Sequence, residues 1–277
     1  MTGEQQAARA KTFLALHRPG EPLVMPNPWD PGSARLLAWL GFAALATTSS
    51  GFAATLGRLD GSVTREESLA HAAVVAAAVA VPVSADLENG FGAEPAVVAD
   101  TADGARAAGV AGFSIEDSTG DPVAPIHDML PAIERIAAAA RRAHADDAPR
   151  LVLTARAENH LHGRNDLADT IARLQAYEAA GADVLFAPGL TAVRDIALVI
   201  AAVTAPVSVL LMPAGPSIPE LAQLGVSRVS TGGALAFAAL GATVEAARAL
   251  RDHGTAGDGG RSGAGAAAAR AAFAQPG

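Results

Sequence analysis

Residues 81–117 read VPVSADLENGFGAEPAVVADTADGARAAGVAGFSIED and contain one complete strand–helix–strand unit. The two ends, 81–87 and 110–117, are short and almost continuously apolar, as strands buried on both faces of a parallel sheet are. Between them, 95–108 is rich in alanine and long enough to form a helix. Both strands end in acidic residues, so the sequence predicts parallel neighbours that present carboxylates at one common edge.

The same βα unit recurs along the whole chain. Eight apolar runs predict strands at 22–27, 43–49, 81–87, 110–117, 150–156, 182–189, 206–211 and 228–233. Eight helical patterns follow them at 32–40, 64–80, 95–108, 129–145, 166–180, 191–203, 217–224 and 233–252. Their number and even spacing favour a (β/α)8 TIM barrel over a doubly wound open sheet, which is the alternative. Residues 1–18 predict an additional N-terminal helix.

We expect a single domain in this chain of 277 residues, a barrel over residues 1–253. Residues 254–277 are low in complexity and rich in glycine and alanine. That composition predicts a flexible tail with a short helix at 265–274.

The composition excludes several classes of function. The formal net charge is −8 and the chain has no basic stripe, which argues against nucleic-acid binding. The chain contains no cysteine, so disulfides, thiolate zinc sites and cysteine nucleophiles are excluded. No apolar run is long enough to span a membrane, and the first residues lack the apolar segment of a signal peptide. We therefore expect a cytoplasmic protein that binds neither nucleic acid nor membranes.

Three carboxylates are predicted to converge at the C-terminal ends of the strands, where TIM barrels place their chemistry. Asp86 and Glu88 end the third strand, on the same side of an extended chain, and Glu116 ends the fourth. Such a cluster is unfavourable unless a cation neutralises it, and Mg²⁺ suits a few carboxylates, retained waters and a chelating substrate. No cysteine or paired histidine nearby indicates zinc. The alternative is that these acids cap helices and pair with arginines.

An arginine and a hydroxyl-rich turn are predicted to face these acids. Arg156 ends the fifth strand, where a guanidinium can hold a carboxylate or phosphate through two hydrogen bonds. Residues 47–51, TTSSG, end the second strand and offer hydroxyls and amides to an anion. With a cation, these groups describe a pocket for a small polyanion that has a chelating oxygen, such as a 2-oxo or 2-hydroxy carboxylate.

Six motifs, in this order, make the chain resemble the isocitrate lyase / phosphoenolpyruvate mutase superfamily: PNPWDPGSARLL, TTSSGFAATLGRLDG, SADLENGFG, FSIEDS, LTAR and AYEAAGADVLFAPG. Members of that superfamily are magnesium-dependent (β/α)8 barrels that act on 2-oxo or 2-hydroxy acids through enolate-like intermediates. The resemblance implies Mg²⁺, with Mn²⁺ as a substitute, and a small anionic carboxylate substrate. It also implies a homo-dimer or homo-tetramer in which a C-terminal helix is swapped between subunits.

The resemblance also implies roles for individual residues. The metal ligands that it implies are Asp86, Glu88 and Glu116, with Glu88 at a position where the family usually has an aspartate. The substrate-binding residues that it implies are Thr48, Ser49, Ser50 and Arg156. Asp60, in LGRLDG, matches an acid near the substrate, and we expect Asp60 and Arg156 to be catalytic.

One loop departs from the superfamily pattern. Isocitrate and methylisocitrate lyases carry a loop of the K[KR]CGH type after the fourth strand, and its cysteine is the acid–base group. The matching segment here, EDSTGDPVAPIHDML at 116–130, has neither cysteine nor lysine, so we expect neither activity by that mechanism. His127 is the candidate catalytic replacement because an imidazole titrates in the useful pH range, and His160 is a candidate substrate-binding residue.

Decarboxylation is the least demanding reaction for such a site, since a cation stabilises the enolate and no base is needed for a hydroxyl proton. We therefore expect a magnesium-dependent C–C lyase or decarboxylase of a small 2-oxo or 2-hydroxy di- or tricarboxylic acid. Two alternatives stay open. One is a P–C bond enzyme of the phosphoenolpyruvate mutase or phosphonopyruvate hydrolase type, and the other is a catalytically silent metabolite-binding protein.

Overall fold

The computed structural model describes residues 2–274. Its elements are, in chain order, α1 (Gly3–Ala15), β1 (Leu23–Met25), α2 (Pro31–Trp39), β2 (Leu45–Ala46), α3 (Ser49–Thr55), α4 (Arg65–Ala77), β3 (Val83–Asp86), α5 (Pro95–Ala107), β4 (Gly112–Glu116), α6 (Met129–Ala143), β5 (Val152–Arg156), α7 (Leu167–Ala179), β6 (Val184–Phe186), α8 (Val193–Ala202), β7 (Val207–Leu210), α9 (Ile218–Gln223), β8 (Arg228–Ser230), α10 (Ala234–His253) and α11 (Gly259–Phe273). Within the described range, no helix has the length and apolarity that a membrane crossing needs.

The eight strands form one parallel sheet in the order β1-β8-β7-β6-β5-β4-β3-β2. Where β1 meets β2, the amide of Ala46 donates to the carbonyl of Pro26 at 3.2 Å. The side chain of Asn27 adds a second link, since its Nδ2 donates to the carbonyl of Thr47 at 2.9 Å. The sheet is therefore a nearly closed barrel, and the prediction of a (β/α)8 barrel rather than an open doubly wound sheet is confirmed.

Helix α1 fills the amino-terminal end of the barrel. Phe13 is fully buried and packs so close to β4 that a Cβ on Gly112 would lie 3.0 Å from its ring. Ala10 and Phe13 form one apolar cluster with Val152 of β5 and Val184 of β6. Burying a side chain of this size stabilises a fold by about 1.5–3 kcal/mol. The N-terminal helix is thus part of the barrel core.

A second apolar core lies between the strands and the surrounding helices. In α6, the buried residues Ala132, Ile136, Ala139 and Ala143 recur every three or four positions and so share one helical face. That face packs onto the outward side chains of the sheet, such as Leu153 of β5. Two apolar layers therefore hold the strands in register and fix where their carboxyl ends lie.

Strand β2 is shorter than predicted, Leu45–Ala46 instead of 43–49. The chain leaves the sheet because helix α3 begins here, which the sequence pattern does not predict. Thr48 caps this helix, and its Oγ1 accepts a hydrogen bond from Gly51 N at 3.3 Å. The hydroxyl-rich segment predicted as a strand end is thus the first turn of a helix.

The C-terminal segment contains a longer helix than predicted, Gly259–Phe273 rather than 265–274. This helix, α11, packs on α2 of the same chain. There Arg35 Nη2 donates to the carbonyl of Phe273 at 3.1 Å, and the guanidinium carbon lies 5.8 Å from the centre of the Phe273 ring. Flexibility of the tail and exchange of this helix between subunits stay predictions.

Candidate active site

Two adjoining cavities lie at the carboxyl ends of the strands. The inner cavity, of about 180 Å³, enters the barrel among Asp86, Ser114, Phe186 and Leu210. The outer cavity, of about 520 Å³, is lined by Glu88, Glu116, Glu158 and His162, among others. Ser49, Asp60 and Arg156 line both cavities. This is the end of a TIM barrel at which catalytic side chains collect.

Arg156 stands at the junction of the two cavities and contacts three carboxylates. Its Nε donates to Glu158 Oε1 at 2.8 Å, its Nη1 to Asp86 Oδ1 at 3.0 Å, and its Nη2 lies 3.2 Å from Glu116 Oε2. The Arg156 side chain is 15% exposed. Burial by itself lowers the pKa of Arg156, but Glu158, Glu116 and Asp86 hold that pKa well above its usual range. Arg156 is therefore a permanent cation, and all of its nitrogens face carboxylates.

Asp86 ends β3 and has both carboxylate oxygens engaged. Besides Arg156, Oδ1 accepts a hydrogen bond from Glu88 N at 3.4 Å, and Oδ2 accepts one from Ser49 N at 3.2 Å. Its own amide donates to Thr47 Oγ1 at 2.8 Å. The strand end, the start of α3 and Arg156 thus fix one carboxylate at the wall of the inner cavity.

Glu88 lies just beyond β3 and has a left-handed backbone, with φ at 48°. Few residues other than glycine adopt this conformation, and those that do cluster at functional sites. The alternation of an extended strand therefore ends at Asp86, and Glu88 lines the outer cavity instead of the inner one. Burial, and then the charges of Asp86 and Asp60, raise the pKa of Glu88 to about 7.

A buried network behind β4 and β5 supports the arginine. Asp117 Oδ1 accepts a hydrogen bond from the amide of Glu158 at 2.8 Å, and its Oδ2 accepts from Tyr177 Oη at 2.6 Å and Arg173 Nη1 at 3.1 Å. Asp117 is 1% exposed and Tyr177 is fully buried. Glu158 in turn accepts from Arg156. The sequence shows Glu158 and Asp117 at the strand ends, but it does not show that they act on Arg156, because their partners come from distant segments.

The three residues expected to bind the substrate's carboxylate, Thr48, Ser49 and Ser50, line the inner cavity. Part of their hydrogen-bonding capacity is taken by the protein itself. The amide of Ser49 binds Asp86, and Thr48 Oγ1 and Ser50 Oγ are 3.1 Å apart. Burial raises the pKa of Asp60, on the loop that follows α3, and the nearby hydroxyl of Ser49 opposes that shift. The structure therefore brings Asp60 and the three hydroxyl residues together at the cavity mouth.

The predicted histidines lie elsewhere. His127 lines neither cavity; its carbonyl accepts from Arg173 at 2.9 Å, and its amide donates to the carbonyl of Asp117 at 2.9 Å. Burial, followed by the charge of Arg135, lowers its pKa. His160 also lines neither cavity, and its Nε2 is buried without a hydrogen-bond partner among residues 2–274. His162, which the sequence places after the fifth strand with His160, is the histidine that lines the outer cavity.

The charge at the two cavities fits a cation. Asp60, Asp86, Glu88, Glu116 and Glu158 are all present, and among the described residues that line the cavities Arg156 is the only arginine or lysine. Burial, opposed by Arg156, raises the pKa of Glu116 well above its usual range. Within residues 2–274, no three Asp, Glu or His side chains are arranged as a ready metal cage. The oxygen donors and the excess negative charge nevertheless match a hard dication, with Arg156 as their present counter-ion.

A TIM barrel that gathers carboxylates and one arginine at the carboxyl ends of its strands has these groups where enzymes of this fold place their active sites. Comparison of the sequence agrees, because residues 13–251 match the family described as phosphoenolpyruvate phosphomutase. The chain belongs to this family, and thus to the phosphoenolpyruvate mutase/isocitrate lyase superfamily, as the sequence motifs indicate. Enzymes of this superfamily are metal-dependent.

Individual relatives extend this comparison. An oxaloacetate decarboxylase of Chromohalobacter salexigens is 32% identical over 87% of this chain and 84% of its own length. A solved structure from Burkholderia cenocepacia J2315, provisionally named a lyase/mutase, is 55% identical and covers 91% of both chains with a TM-score of 0.87. The structure of a 2,3-dimethylmalate lyase is 28% identical, covers 93% of this chain and 90% of its own, and has a TM-score of 0.81.

Proposed function

We propose that this protein is a metal-dependent C–C lyase, in the simplest case a decarboxylase, of a small 2-oxo or 2-hydroxy di- or tricarboxylic acid. The observation that carries this proposal is the position of Arg156, a permanent cation at the junction of two cavities whose walls are otherwise acidic. Relatives named as an oxaloacetate decarboxylase and a 2,3-dimethylmalate lyase support the same reaction class.

The metal of this proposal is Mg²⁺, with Mn²⁺ as a substitute, and its proposed ligands are Asp86, Glu88 and Glu116. When bound, it supplies positive charge to the substrate oxygen on which negative charge develops as the C–C bond breaks. Hard carboxylate oxygens are the donors that such ions prefer.

The residues of the chain bind and orient the acid. Arg156 is proposed to hold the substrate's carboxylate through its terminal nitrogens, and the hydroxyls of Ser49 and Ser50 bind the remaining oxygens. The apolar side chains of Phe186 and Leu210 line the inner cavity and exclude water from the reacting carbons. Cleavage leaves an enolate in this enclosed space, where fixed charges stabilise it more than water does.

Decarboxylation and the cleavage of a 2-hydroxy acid differ in the proton transfers that they need. Decarboxylation needs a proton only after the bond has broken, and water in the outer cavity supplies it. Cleavage of a 2-hydroxy acid also needs a base, and Asp60 is the proposed group because it lines both cavities. We assign no such role to His127 or His160, since neither lines the inner or the outer cavity. The homo-oligomeric assembly and cytoplasmic location predicted from the sequence are kept as part of this proposal.

A carboxylic acid fits the cavities better than a phosphonate does. A phosphoryl group carries up to two negative charges and is usually bound by several cations. Arg156 is the only arginine or lysine among the described residues lining the cavities, and Arg164 is not among them. This charge count favours C–C chemistry over P–C chemistry.

A substrate screen tests the proposal. Purified protein is incubated with Mg²⁺ and oxaloacetate, substituted malates, methylisocitrate or phosphonopyruvate, and the released 2-oxo acid and CO₂ are measured. We expect turnover of one of the carboxylic acids and its loss on addition of a chelator. Asp86→Ala should lower kcat/KM by about 10²-fold or more, because the proposed cation loses a principal ligand.

The matched control is Asp100→Ala, which removes the charge of an exposed aspartate on α5 and should keep wild-type turnover. Turnover of phosphonopyruvate alone would select P–C chemistry. Magnesium-dependent stabilisation by an acid without any turnover would make the protein a silent binder. Wild-type activity in Asp86→Ala would contradict the proposed site itself.

A further inference from the structure

Arg156 and the proposed cation compete for the same two carboxylates. Asp86 and Glu116 are proposed metal ligands, yet in this structure they contact Nη1 and Nη2 of Arg156 at 3.0 and 3.2 Å. The same two nitrogens are the ones proposed to bind the substrate. The terminal nitrogens of Arg156 therefore have two alternative sets of partners, the carboxylates of Asp86 and Glu116 or the substrate. They cannot bind both sets at once.

Glu158 contacts the third nitrogen of Arg156, Nε. Neither the proposed cation nor the substrate competes for this contact. Glu158 Oε1 accepts from Arg156 Nε at 2.8 Å, and its side chain is 4% exposed. Its amide is fixed in turn by Asp117, at 2.8 Å. Asp117 is immobilised by Tyr177 and Arg173, both largely buried. This support comes from the Asp117 network in the protein interior and does not depend on Asp86 or Glu116.

We propose that Glu158 is a positioning residue that holds Arg156 by Nε while Asp86 and Glu116 exchange the guanidinium for a dication, which frees Nη1 and Nη2 for the anionic substrate. This inference rests on the proposed function for the identity of the cation and the acid. The exchange keeps charge balanced, because the dication adds two positive charges at the carboxylates and a dicarboxylate brings two negative charges to the freed guanidinium. It also couples the two ligands, so that each binds more tightly when the other is present.

The exchange predicts that one variant of a site residue binds Mg²⁺ more tightly than the wild type does. Arg156→Met removes the cation that competes for Asp86 and Glu116, so metal-free protein should bind Mg²⁺ on the order of tenfold more tightly than the wild type. Isothermal titration calorimetry with Mg²⁺ alone measures this affinity. The matched control is Arg164→Met, an exposed arginine on the loop after β5, and it should change the affinity by less than threefold. Unchanged or weaker Mg²⁺ binding in Arg156→Met overturns the exchange.

Folding of that variant is checked by its melting temperature, because it leaves buried carboxylates without their partner. If Arg156→Met does not fold, Arg156→Lys serves instead. A single ammonium cannot reproduce the three contacts of the guanidinium, so its Mg²⁺ affinity should also rise, by a smaller factor. Mg²⁺ binding by the lysine variant that equals or falls below the wild type overturns the exchange in the same way.

Glu158→Gln tests the positioning role with oxalate, a small dicarboxylate with no C–C bond that this site can cleave to an enolate. With saturating Mg²⁺, its oxalate affinity should fall on the order of tenfold, since the ion pair with Nε becomes a weaker hydrogen bond to an uncharged amide oxygen. In the Arg156→Met background the same substitution should have no further effect, because its target is gone. Glu94→Gln, on the exposed start of α5, is the control for loss of one negative charge.

These readouts separate the two proposals. An equal effect of Glu158→Gln with and without Arg156, or no effect on oxalate, overturns the positioning role even if the wild type cleaves an acid in the screen. Magnesium and oxalate binding that behave as expected, in a protein that cleaves no acid, overturn the proposed function and leave the positioning role in place.

Discussion

A buried histidine at the amino-terminal end of the barrel should make stability depend on pH. His17 is 6% exposed, its Nδ1 donates to the carbonyl of Phe13 at 2.8 Å, and its Nε2 accepts from Arg228 Nη1 at 3.3 Å. Arg228 is 3% exposed, and its other described partners are the hydroxyls of Ser208 and Thr154. A protonated His17 would place a second positive charge against Arg228. Burial, followed by Arg228, therefore lowers the pKa of His17 to about 3.

The size of the effect follows from linkage. In the unfolded chain the histidine has a pKa of about 6.5, so between pH 6.5 and pH 3 the unfolded state binds a proton that the native state does not. Stability contributed by neutral His17 is thus fully present above pH 6.5 and is lost as the pH falls. Between pH 7 and pH 5, integration gives a loss of about 2 kcal/mol. His17→Gln keeps a donor and an acceptor but removes the titration, so it should not show this loss.

Urea denaturation at pH 7 and pH 5 measures the difference, with the fluorescence of Trp29 and Trp39 as the probe. The free energy of unfolding of the wild type should fall by about 2 kcal/mol more than that of His17→Gln. His253→Gln, an exposed histidine at the end of α10, should follow the wild type. A wild type and a His17→Gln variant whose stabilities change in parallel, within about 0.5 kcal/mol, would refute the assigned burial and the neutral tautomer.

Two further substitutions test the network behind the site and the packing of the barrel core by the same urea assay. Tyr177→Phe should lower the free energy of unfolding by about 1.5–3 kcal/mol, because the buried carboxylate of Asp117 loses a charged hydrogen bond; a change below 0.5 kcal/mol would contradict the network. Gly112→Ala should cost about 3 kcal/mol, because its Cβ would lie 2.6 Å from the carbonyl oxygen of Val152. Its control, Gly263→Ala in α11, meets no atom within 4 Å and should stabilise by about 0.5–1 kcal/mol, so equal effects of the two would argue against the predicted clash.

The sequence predicts the barrel and much of its mouth because both follow from local pattern. Continuous apolar runs mark buried parallel strands, and parallel strands bring their carboxyl ends to one edge. Asp86, Glu116 and Arg156 could therefore be placed together from their positions alone. The structure does bring them into contact, with Glu116 of β4 in register with Arg156 of β5.

The sequence does not predict which hydrogen-bond partners the side chains of the site have. Tyr177 and Asp117 are 60 positions apart, and no local pattern connects them. The left-handed backbone of Glu88 interrupts the alternation of side chains along the strand, and no glycine at this position indicates the change. Helix α3 is missed because hydroxyl residues favour helix caps and turns alike, so the segment after β2 permits either. Loop histidines are similarly uninformative, since only the fold decides that His162 rather than His160 lines a cavity.

The place of α1 in the barrel core has a consequence for synthesis of the chain on the ribosome. Phe13 is synthesised well before Val152 and Val184, with which it clusters, because 139 residues separate it from the first of them. At 5–20 residues per second, the ring waits about 7–28 s for the first of these two partners. Throughout that interval α1 lacks its partners on β5 and β6, so this part of its apolar face stays accessible to chaperones.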